Sequence, residues 1–281
     1  MTQLASYRLD GRPGVAIVDG DALRPLPGVT SMLDVLDWPA SRLTAAASAD
    51  PVAMADVELV APVPTPSRNI YCVGWNYLAH FEEGRHSRPD VQLPKRPTIF
   101  SKAPGTVVGP YDDIPAHPGL TGQLDWEVEV AVVIGTGGTD IAEDSALRHV
   151  FGYTVANDVT ARNMQAEYGG QWLKGKSLDQ TCPMGPVLVT ADEVGDPQSL
   201  DISCRVNGRT VQSGNTRQMI FPIARIIAEL STGLTLLPGD IVLTGTPEGV
   251  GHQRRPPEYL YQGDVLESEI SGIGALRNTI V

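Results

Sequence analysis

The sequence predicts an α+β fold in which strands dominate, and three observations lead to this prediction. Segments rich in β-branched residues outnumber helical segments. The two kinds of segment do not alternate regularly, which argues against a doubly wound parallel sheet. The chain also holds 29 glycines and 23 prolines, a frequency typical of folds with many turns. We therefore expect a mixed, mostly β architecture.

The first 61 residues read as a small N-terminal α+β domain. Alternating apolar residues around the turn 10–14 predict a hairpin, and a third strand should end near Leu26. Short helices are expected at 31–36, with Thr30 or Ser31 as the N-cap, and at 41–47. Three prolines at alternate positions within 61–66 favour an extended connector, so we place the domain boundary there.

Residues 66–281 form the larger predicted domain. Its best strand is Trp126–Ile134, which is rich in valine. Helices are predicted at Thr160–Tyr168 and at Ile220–Leu230, where apolar residues fall on one face. The other predicted strands are Ile70–Val73, Thr98–Phe100, Gly152–Asn157, Val187–Thr190, Ile202–Val206, Ile241–Thr244 and Val265–Ile270.

Composition narrows the class of protein. A net charge of −12 disfavours nucleic-acid partners, and 42% hydrophobic residues exclude a chain that is disordered throughout. Neither a signal peptide nor an apolar stretch long enough to span a membrane is visible. The three cysteines, without a CxxC spacing, disfavour a disulfide framework and a zinc ribbon. We expect a cytoplasmic protein that acts on a small molecule, with no membrane partner.

Two carboxylates lie two positions apart in the best predicted strand. Residues i and i+2 of a strand point to one face, so Glu127 and Glu129 should lie about 7 Å apart. Two like charges in an apolar strand are costly unless a cation lies between them. Hard divalent cations such as Mg²⁺, Mn²⁺ and Ca²⁺ prefer oxygen ligands of this kind. The alternative is an edge strand whose carboxylates face water.

A second group of polar residues follows the strand 152–157. Asp158 either caps the helix that comes next or turns inward as a third carboxylate beside the Glu127 pair. Arg162 and Gln165 are three positions apart on that helix and share a face. Polar groups there would suit a small anionic ligand.

Residues 170–177 match the P-loop pattern GxxxxGK[ST], but their context does not fit a nucleotide site. A P-loop follows a strand and precedes a helix. Here a helix is predicted before the motif, Trp172 and Leu173 are bulky, and prolines at 183 and 186 prevent a long helix after it. The useful residue is Lys176, which is either part of a site or a solvated surface lysine.

Two further segments carry candidate residues. His80 and Glu83 are three positions apart, and on a helical turn the carboxylate could orient the imidazole as a general base. An exposed pair without a role is the alternative. The Gly- and Pro-rich loop 245–251, which follows a predicted strand, could bring backbone close to a ligand or could be a plain turn.

Taken together and in their order along the chain, these segments resemble the fumarylacetoacetate hydrolase superfamily. Within it they resemble the branch of acylpyruvate hydrolases and 2-hydroxyhepta-2,4-diene-1,7-dioate isomerases. Each motif alone is weak, whereas the ordered set is specific and covers residues 66–281. The segments that carry the resemblance are GWNYLAH, LDWEVEVAVVIG, NDVTARNMQ, GKSLDQTCPMGP, VNGRTVQSGNT, PGDIVLTGTPEGVG and GDVLESEISGIGALRN.

The resemblance implies a mixed β-roll or barrel, a homodimer and one divalent metal per site, Mg²⁺ or else Mn²⁺ or Ca²⁺. It also implies that the catalytic dyad is carried on a lid. Asn163 and the pair Leu78-Ala79 depart from common family residues. The implied site consists of metal ligands Glu127, Glu129 and Asp158, catalytic residues His80, Glu83 and Lys176, and substrate contacts Arg162, Gln165 and Thr246.

The function that the resemblance implies is metal-dependent hydrolysis of a C–C bond in a β-diketo acid, as in a catabolic enzyme. His80 would activate water and Lys176 would stabilise the developing oxyanion. Isomerisation, tautomerisation or decarboxylation of a related keto acid is the alternative within the family. From other classes, a nucleotide switch and a non-catalytic Ca²⁺-stabilised binding module remain to be tested.

Overall fold

The computed structural model describes residues 2–48, 50–87 and 92–281. Strands provide most of its regular structure, and short 3₁₀ turns connect many of them. The α-helices are α1 (Ala40–Ala46), α2 (Leu78–Glu83), α3 (Arg162–Glu167), α4 (Leu173–Lys176), α5 (Ala191–Val194) and α6 (Ile223–Ser231). The strands are β1 (Gln3–Leu9), β2 (Arg12–Asp19), β3 (Ala22–Pro25), β4 (Val52–Ala53), β5 (Glu58–Val60), β6 (Ile70–Gly74), β7 (Thr98–Lys102), β8 (Val107–Val108), β9 (Leu124–Asp125), β10 (Val128–Ile134), β11 (Val150–Asn157), β12 (Thr160–Ala161), β13 (Cys182–Thr190), β14 (Asp201–Val206), β15 (Arg209–Asn215), β16 (Ile241–Leu243), β17 (Val265–Ile270) and β18 (Gly274–Thr279).

The main sheet is mixed and open. Its strand order is β4-β3-β2-β1-β13-β11-β10-β16-β6-β7, with β5 and β8 paired off this path. Strand β10 lies between β11 and β16, and all seven of its residues are buried. A strand buried on both faces reads as a continuous apolar run, which explains the valine-rich sequence that marked it. The predicted α+β, mostly β class is confirmed.

The N-terminal strands join the same sheet as the rest of the chain. Strand β1 pairs with β13 through Gln3↔Val189 and Leu4↔Leu188. The predicted hairpin corresponds to β1 and β2, and Ser31 caps the 3₁₀ turn Met32–Val35 by accepting a hydrogen bond from Leu33 N–H. Because strands from both sides of 61–66 share this sheet, the division of the chain into two domains there stays a prediction.

A second, four-stranded antiparallel sheet has the order β15-β14-β17-β18. Helix α6 presents one apolar face, with Ile223, Ile226, Ile227 and Leu230 buried. The helix begins three residues later than predicted, because Pro222 occupies its N-cap in an extended conformation. Proline also disfavours helical geometry at the residue before it.

Of the predicted helix Thr160–Tyr168, only residues 162–167 are helical. Residues Thr160 and Ala161 form β12, which pairs with β9, so the helix starts at Arg162. The helix ends at Glu167, and Gly169 and Gly170 follow with positive φ. Across the described residues, each helix is too short or too polar to cross a bilayer.

Candidate active site

One cavity of about 300 Å³ lies beside the start of β10. The connection from β6 to α2 forms one part of its wall, helices α3 and α4 a second, and the loop after β16 a third. Seven of the nine predicted site residues line it. These are His80, Glu127, Glu129, Arg162, Gln165, Lys176 and Thr246.

Three buried carboxylates meet at this cavity. Oxygen atoms of Glu127, Glu129 and Asp158 lie within 4.8 Å of one another. Glu129 lies on the central strand β10, which excludes the exposed edge-strand alternative. Asp158 follows β11 and is fully buried, while Ala161 occupies the N-cap of α3. The inward-facing interpretation of Asp158 is therefore correct, and the helix-cap interpretation is wrong.

Two buried lysines contact the carboxylates. Lys176 Nζ donates to Glu127 Oε2 and to Asp158 Oδ2, both at 2.7 Å. Lys102 Nζ lies 2.8 Å from Asp158 Oδ1 and donates to the carbonyl of Val159. Lys176 is thus part of the site rather than a surface lysine. Because it lies at the end of a four-residue helix and points at carboxylates, the segment 170–177 does not form a phosphate-binding loop.

These contacts separate the pKa values of the two glutamates. Burial alone would raise the pKa of Glu127, but Lys176 and Arg162 outweigh it and lower that pKa to about 2. Burial, together with the charges of Asp158 and Glu127, raises the pKa of Glu129 well above its ordinary value. Glu129 accepts a 2.6 Å hydrogen bond from Gly245 N–H. Its negative charge is the least compensated of the three.

Arg162 is held from two sides. Its Nη2 lies 2.7 Å from Asp125 Oδ2 and 2.6 Å from Glu127 Oε1, and its Nη1 donates to Gln165 Oε1 at 3.0 Å. Asp125 also accepts hydrogen bonds from the backbone N–H groups of Gly251 and of residue 252. One carboxylate therefore joins helix α3 to the loop on the other side of the cavity.

The predicted dyad forms on α2. His80 Nδ1 lies 2.6 Å from Glu83 Oε1, and Glu83 Oε2 accepts a hydrogen bond from Gly249 N–H at 2.9 Å. When Nδ1 carries the proton, Nε2 is the basic ring nitrogen. His80 is buried and lines the cavity, so the interpretation as an exposed pair is wrong. Part of the expected lid, residues 88–91, lies outside the described residues.

The loop after β16 is fixed by a buried glutamine. Gln212 Nε2 donates to Thr246 Oγ1 and to the Pro247 carbonyl, and its Oε1 accepts from Val128 N–H. This places the Thr246 side chain at the cavity. Gly245 has φ +97, a conformation that glycine adopts readily, and an added Cβ would lie 2.6 Å from Cβ of Asn76.

All nine predicted residues are therefore brought together, since Asp158 and Glu83 contact residues that line the cavity. Sequence reasoning missed four others: Lys102, Asp125, Gln212 and the cavity-lining His252. Asp125 directly precedes the Trp126–Glu129 segment, which was a usable signal. Lys102 gave no comparable signal, because only two of the five residues of its strand are apolar.

The residues present fit a hard divalent cation. The cluster contains only carboxylate oxygen donors, which is the ligand type that Mg²⁺, Mn²⁺ and Ca²⁺ prefer. The group of Glu127, Glu129, Asp158 and Asp125 sets four carboxylates against three cations. Added positive charge would offset the burial and the neighbouring negative charges that raise the pKa of Glu129.

Known proteins resemble both the sequence and the structure. Residues 69–281 match the family described as fumarylacetoacetate (FAA) hydrolase C-terminal. The human mitochondrial oxaloacetate tautomerase FAHD2A is 48% identical over 227 residues, which cover 80% of this chain and 70% of that protein. Oxaloacetate tautomerase YisK from Bacillus subtilis is 47% identical, covering 81% of this chain and 74% of that protein.

Two solved structures share the whole fold. A fumarylacetoacetate hydrolase from psychrophilic Exiguobacterium antarcticum superposes with a TM-score of 0.88 at 39% identity, covering 100% of this chain and 99% of that one. A 2-hydroxyhepta-2,4-diene-1,7-dioate isomerase from Mycobacterium marinum superposes with a TM-score of 0.80 at 30% identity, covering 100% and 98%. The resemblance inferred from the motifs is confirmed, and the chain belongs to the fumarylacetoacetate hydrolase C-terminal family.

Proposed function

We propose that this protein is a divalent-metal-dependent tautomerase of a small 2-oxo dicarboxylate of the oxaloacetate type. The observation that carries the proposal is the meeting of three carboxylates, Lys176 and the His80–Glu83 dyad at one cavity. Curated relatives named oxaloacetate tautomerases and a structural neighbour named an isomerase support it. They favour the isomerase alternative over the C–C hydrolysis that the motifs first suggested.

In the keto-to-enol direction one proton leaves C3, the C2–C3 double bond forms as the π bond of the C2 carbonyl breaks, and one proton reaches the C2 oxygen; the enol-to-keto direction is the reverse. In this proposal His80, with Nδ1 held by Glu83, takes the C3 proton through Nε2. Lys176 is the lysine of the cluster that lines the cavity, where it would stabilise charge on the C2 oxygen. A cation held by Glu127, Glu129 and Asp158 would supply Lewis acidity toward the keto acid.

Arg162, Gln165 and Thr246 are the proposed contacts for the substrate carboxylates. Arg162 and Gln165 are already joined by a hydrogen bond, and Asp125 holds the guanidinium from behind. A pre-oriented guanidinium recognises a carboxylate with less loss of conformational freedom than a mobile one. This contribution concerns binding and orientation rather than proton transfer.

Hydrolysis of an acylpyruvate is the second candidate, and the dyad favours it. A carboxylate-oriented imidazole can deprotonate water as readily as a carbon acid. In that case hydroxide attacks the distal ketone, the C–C bond breaks, and the enolate leaves. The two reactions share every site residue, so the products must distinguish them.

The test is a substrate panel in Mg²⁺ and in EDTA. We expect fast Mg²⁺-dependent loss of enol absorbance from oxaloacetate without formation of pyruvate from it, and no release of pyruvate from acetylpyruvate or fumarylpyruvate. His80→Ala should reduce the rate about 100-fold or more, because positioned proton transfer contributes that much. The matched control is His149→Ala, whose imidazole hydrogen-bonds to Thr136 outside the cavity. Release of pyruvate from acetylpyruvate or fumarylpyruvate, without tautomerisation of oxaloacetate, would replace the proposal by hydrolysis.

The expected partners and location follow from the same proposal. We propose a homodimer that binds a keto-acid substrate and neither nucleic acid nor membrane, with Mg²⁺ as the cation. A cytoplasmic location stays a prediction, because the relatives include a bacterial protein and proteins named as mitochondrial. The enzyme names of these relatives weigh against the non-catalytic binding module.

A further inference from the structure

Three aromatic side chains form a row along one wall of the cavity. The ring of Trp172 contacts Phe100 at a centroid distance of 5.0 Å and Trp75 at 4.9 Å, both edge to face. All three residues are partly exposed and line the cavity. Lys176 Nζ lies 5.1 Å from the Phe100 ring centroid, so the row begins beside the charged cluster and ends at Trp75.

The backbone at Trp75 adopts a conformation that is rare for a bulky residue. Its φ is +55, in the left-handed region that a tryptophan seldom occupies. Neighbouring contacts impose this geometry, because the Asn76 side chain donates to the carbonyls of Phe221 and Thr244 and accepts from Phe221 N–H. A strained residue that its surroundings hold at a cavity points to a functional constraint.

The chain also makes room for the middle ring of the row. A Cβ on Gly74 would lie 2.5 Å from Cζ3 of Trp172, so any larger residue would displace that ring. Gly74 is therefore required for the row as it stands. Arg162, Gln165 and Thr246, which also line the cavity, are polar. The cavity thus has apolar surface along the row and polar groups elsewhere.

We propose that Trp75 is a specificity-determining residue that limits how long a substrate chain the cavity accepts. A 2-oxo acid bound at the carboxylate cluster starts beside Phe100, and each added carbon extends it along the row toward Trp75. A short chain ends before this ring, whereas a longer apolar chain meets it. The inference rests on the proposed function for the class of ligand, namely vicinal dioxygen acids bound at the cluster.

The experiment measures binding rather than turnover. Calorimetry in Mg²⁺ compares oxalate, which carries only the vicinal dioxygen unit, with the six-carbon 2-oxohexanoate, which adds an apolar tail. For Trp75→Ala we expect the 2-oxohexanoate Kd to fall about tenfold or more while the oxalate Kd changes less than about twofold, since a removed indole opens space for several carbons. Trp75→Phe should give a smaller change of the same sign.

The matched control is Trp38→Ala, because Trp38 packs on Arg42 in the N-terminal part of the chain. It should leave both dissociation constants unchanged. An unchanged ratio of the two constants in both Trp75 variants would overturn the inference. This result would leave the proposed function intact if oxaloacetate is still tautomerised. If the ratio of the two constants shifts in the Trp75 variants but the wild-type protein does not turn over oxaloacetate, the inference is supported and the tautomerase proposal is rejected.

Discussion

Charged residues are arranged in opposite ways in two regions of this protein. At the cavity, the side chains of Lys176 and Asp158 form an ion pair while only 2% and 0% exposed. On the N-terminal strands, Arg8 and Glu58 pair at 51% and 56% exposure, and Arg24 and Asp19 pair at 40% and 55%. The same types of side chain are thus fully desolvated in one region and hydrated in the other.

The difference separates stability from function. Removing two charges from water costs several kcal/mol per ion, which their attraction repays only with excellent geometry. An exposed pair costs little and contributes about 0–1 kcal/mol. The N-terminal strands could lose their ion pairs with little effect. A concentration of buried charge that includes an undercompensated Glu129 is typical of a site kept for chemistry.

The largest expected loss of turnover follows from neutralising Glu129. Glu129→Gln removes one of the three metal-ligand candidates, so we expect Mg²⁺-dependent turnover to fall about 100- to 1000-fold, the equivalent of about 3–4 kcal/mol of transition-state stabilisation. In EDTA the variant should be no less stable than the wild type, because a repelled buried charge is gone. Steady-state kinetics and urea unfolding measure the two effects. Wild-type turnover in the variant would contradict the assignment.

Removing the shared cation should cost the most stability. Lys176→Met leaves Glu127 and Asp158 buried with less compensation, so we expect a loss of about 3–5 kcal/mol in EDTA, part of which Mg²⁺ restores. Turnover should fall far more than metal affinity. The control is Lys174→Met, two positions earlier on the exposed side of α4. Equal unfolding free energies for the two variants would show that the buried pairs are not coupled to the fold.

A smaller effect is expected where a carboxylate positions a neighbour. Asp125→Asn keeps the shape of the side chain but loses the ion pair with Arg162, so we expect about 1–3 kcal/mol of destabilisation. The KM for oxaloacetate should rise about tenfold, as expected when about 1.4 kcal/mol of substrate binding is lost. Asp19→Asn, in the exposed pair with Arg24, is the matched control. A raised KM in Asp19→Asn as well would mean that the effect of Asp125→Asn does not come from its contact with Arg162.

Cys182 tests the burial of this region at a side chain that takes part in no ion pair. Burial raises the pKa of Cys182 from 9.0 to about 12, so its thiol should not react with a disulfide reagent at pH 8 until the chain unfolds. Between these two pKa values the unfolded chain releases a proton that the folded chain retains, so stability should fall as pH rises from about 9 to about 12. Cys182→Ala should weaken this slope. A native thiol that reacts quickly at pH 8 would contradict the burial.

The smallest effects belong to the N-terminal pairs. Arg8→Ala and Arg24→Ala should each change the free energy of unfolding by less than about 1 kcal/mol and leave kcat and KM unchanged. Urea unfolding at low and high salt measures this. A loss as large as that of Lys176→Met would mean that exposure does not separate the two regions.

Local spacing was enough to predict that Glu127 and Glu129 share one face, although an exposed edge strand remained the alternative. Glu127 and Glu129 are two positions apart in a strongly apolar segment, and alternation within a strand dictates a common face. The fold class followed from the same kind of local pattern. The end of the Ile220–Leu230 helix was predicted within one residue, but its start was not, because Pro222 outweighs the apolar periodicity.

The cationic and positioning residues depend on contacts between distant parts of the chain. Lys102 bonds to Val159, 57 positions away, and Gln212 bonds to Val128, 84 positions away. No periodicity reports such pairings, since they arise only once the strands have taken their places in the sheet. The two interpretations of Asp158 were likewise settled by tertiary contacts with Lys102 and Lys176.

Calorimetric titration of the purified protein with Mn²⁺ measures whether the buried carboxylates form a divalent metal centre. We predict one Mn²⁺ bound per chain in the wild type and in Arg8→Ala, with binding lost or weakened about 100-fold or more in Glu129→Gln, as expected when a charged oxygen ligand is removed from the cation. Absence of binding in the wild type, or equal binding in Glu129→Gln, would mean that these carboxylates do not form a metal centre.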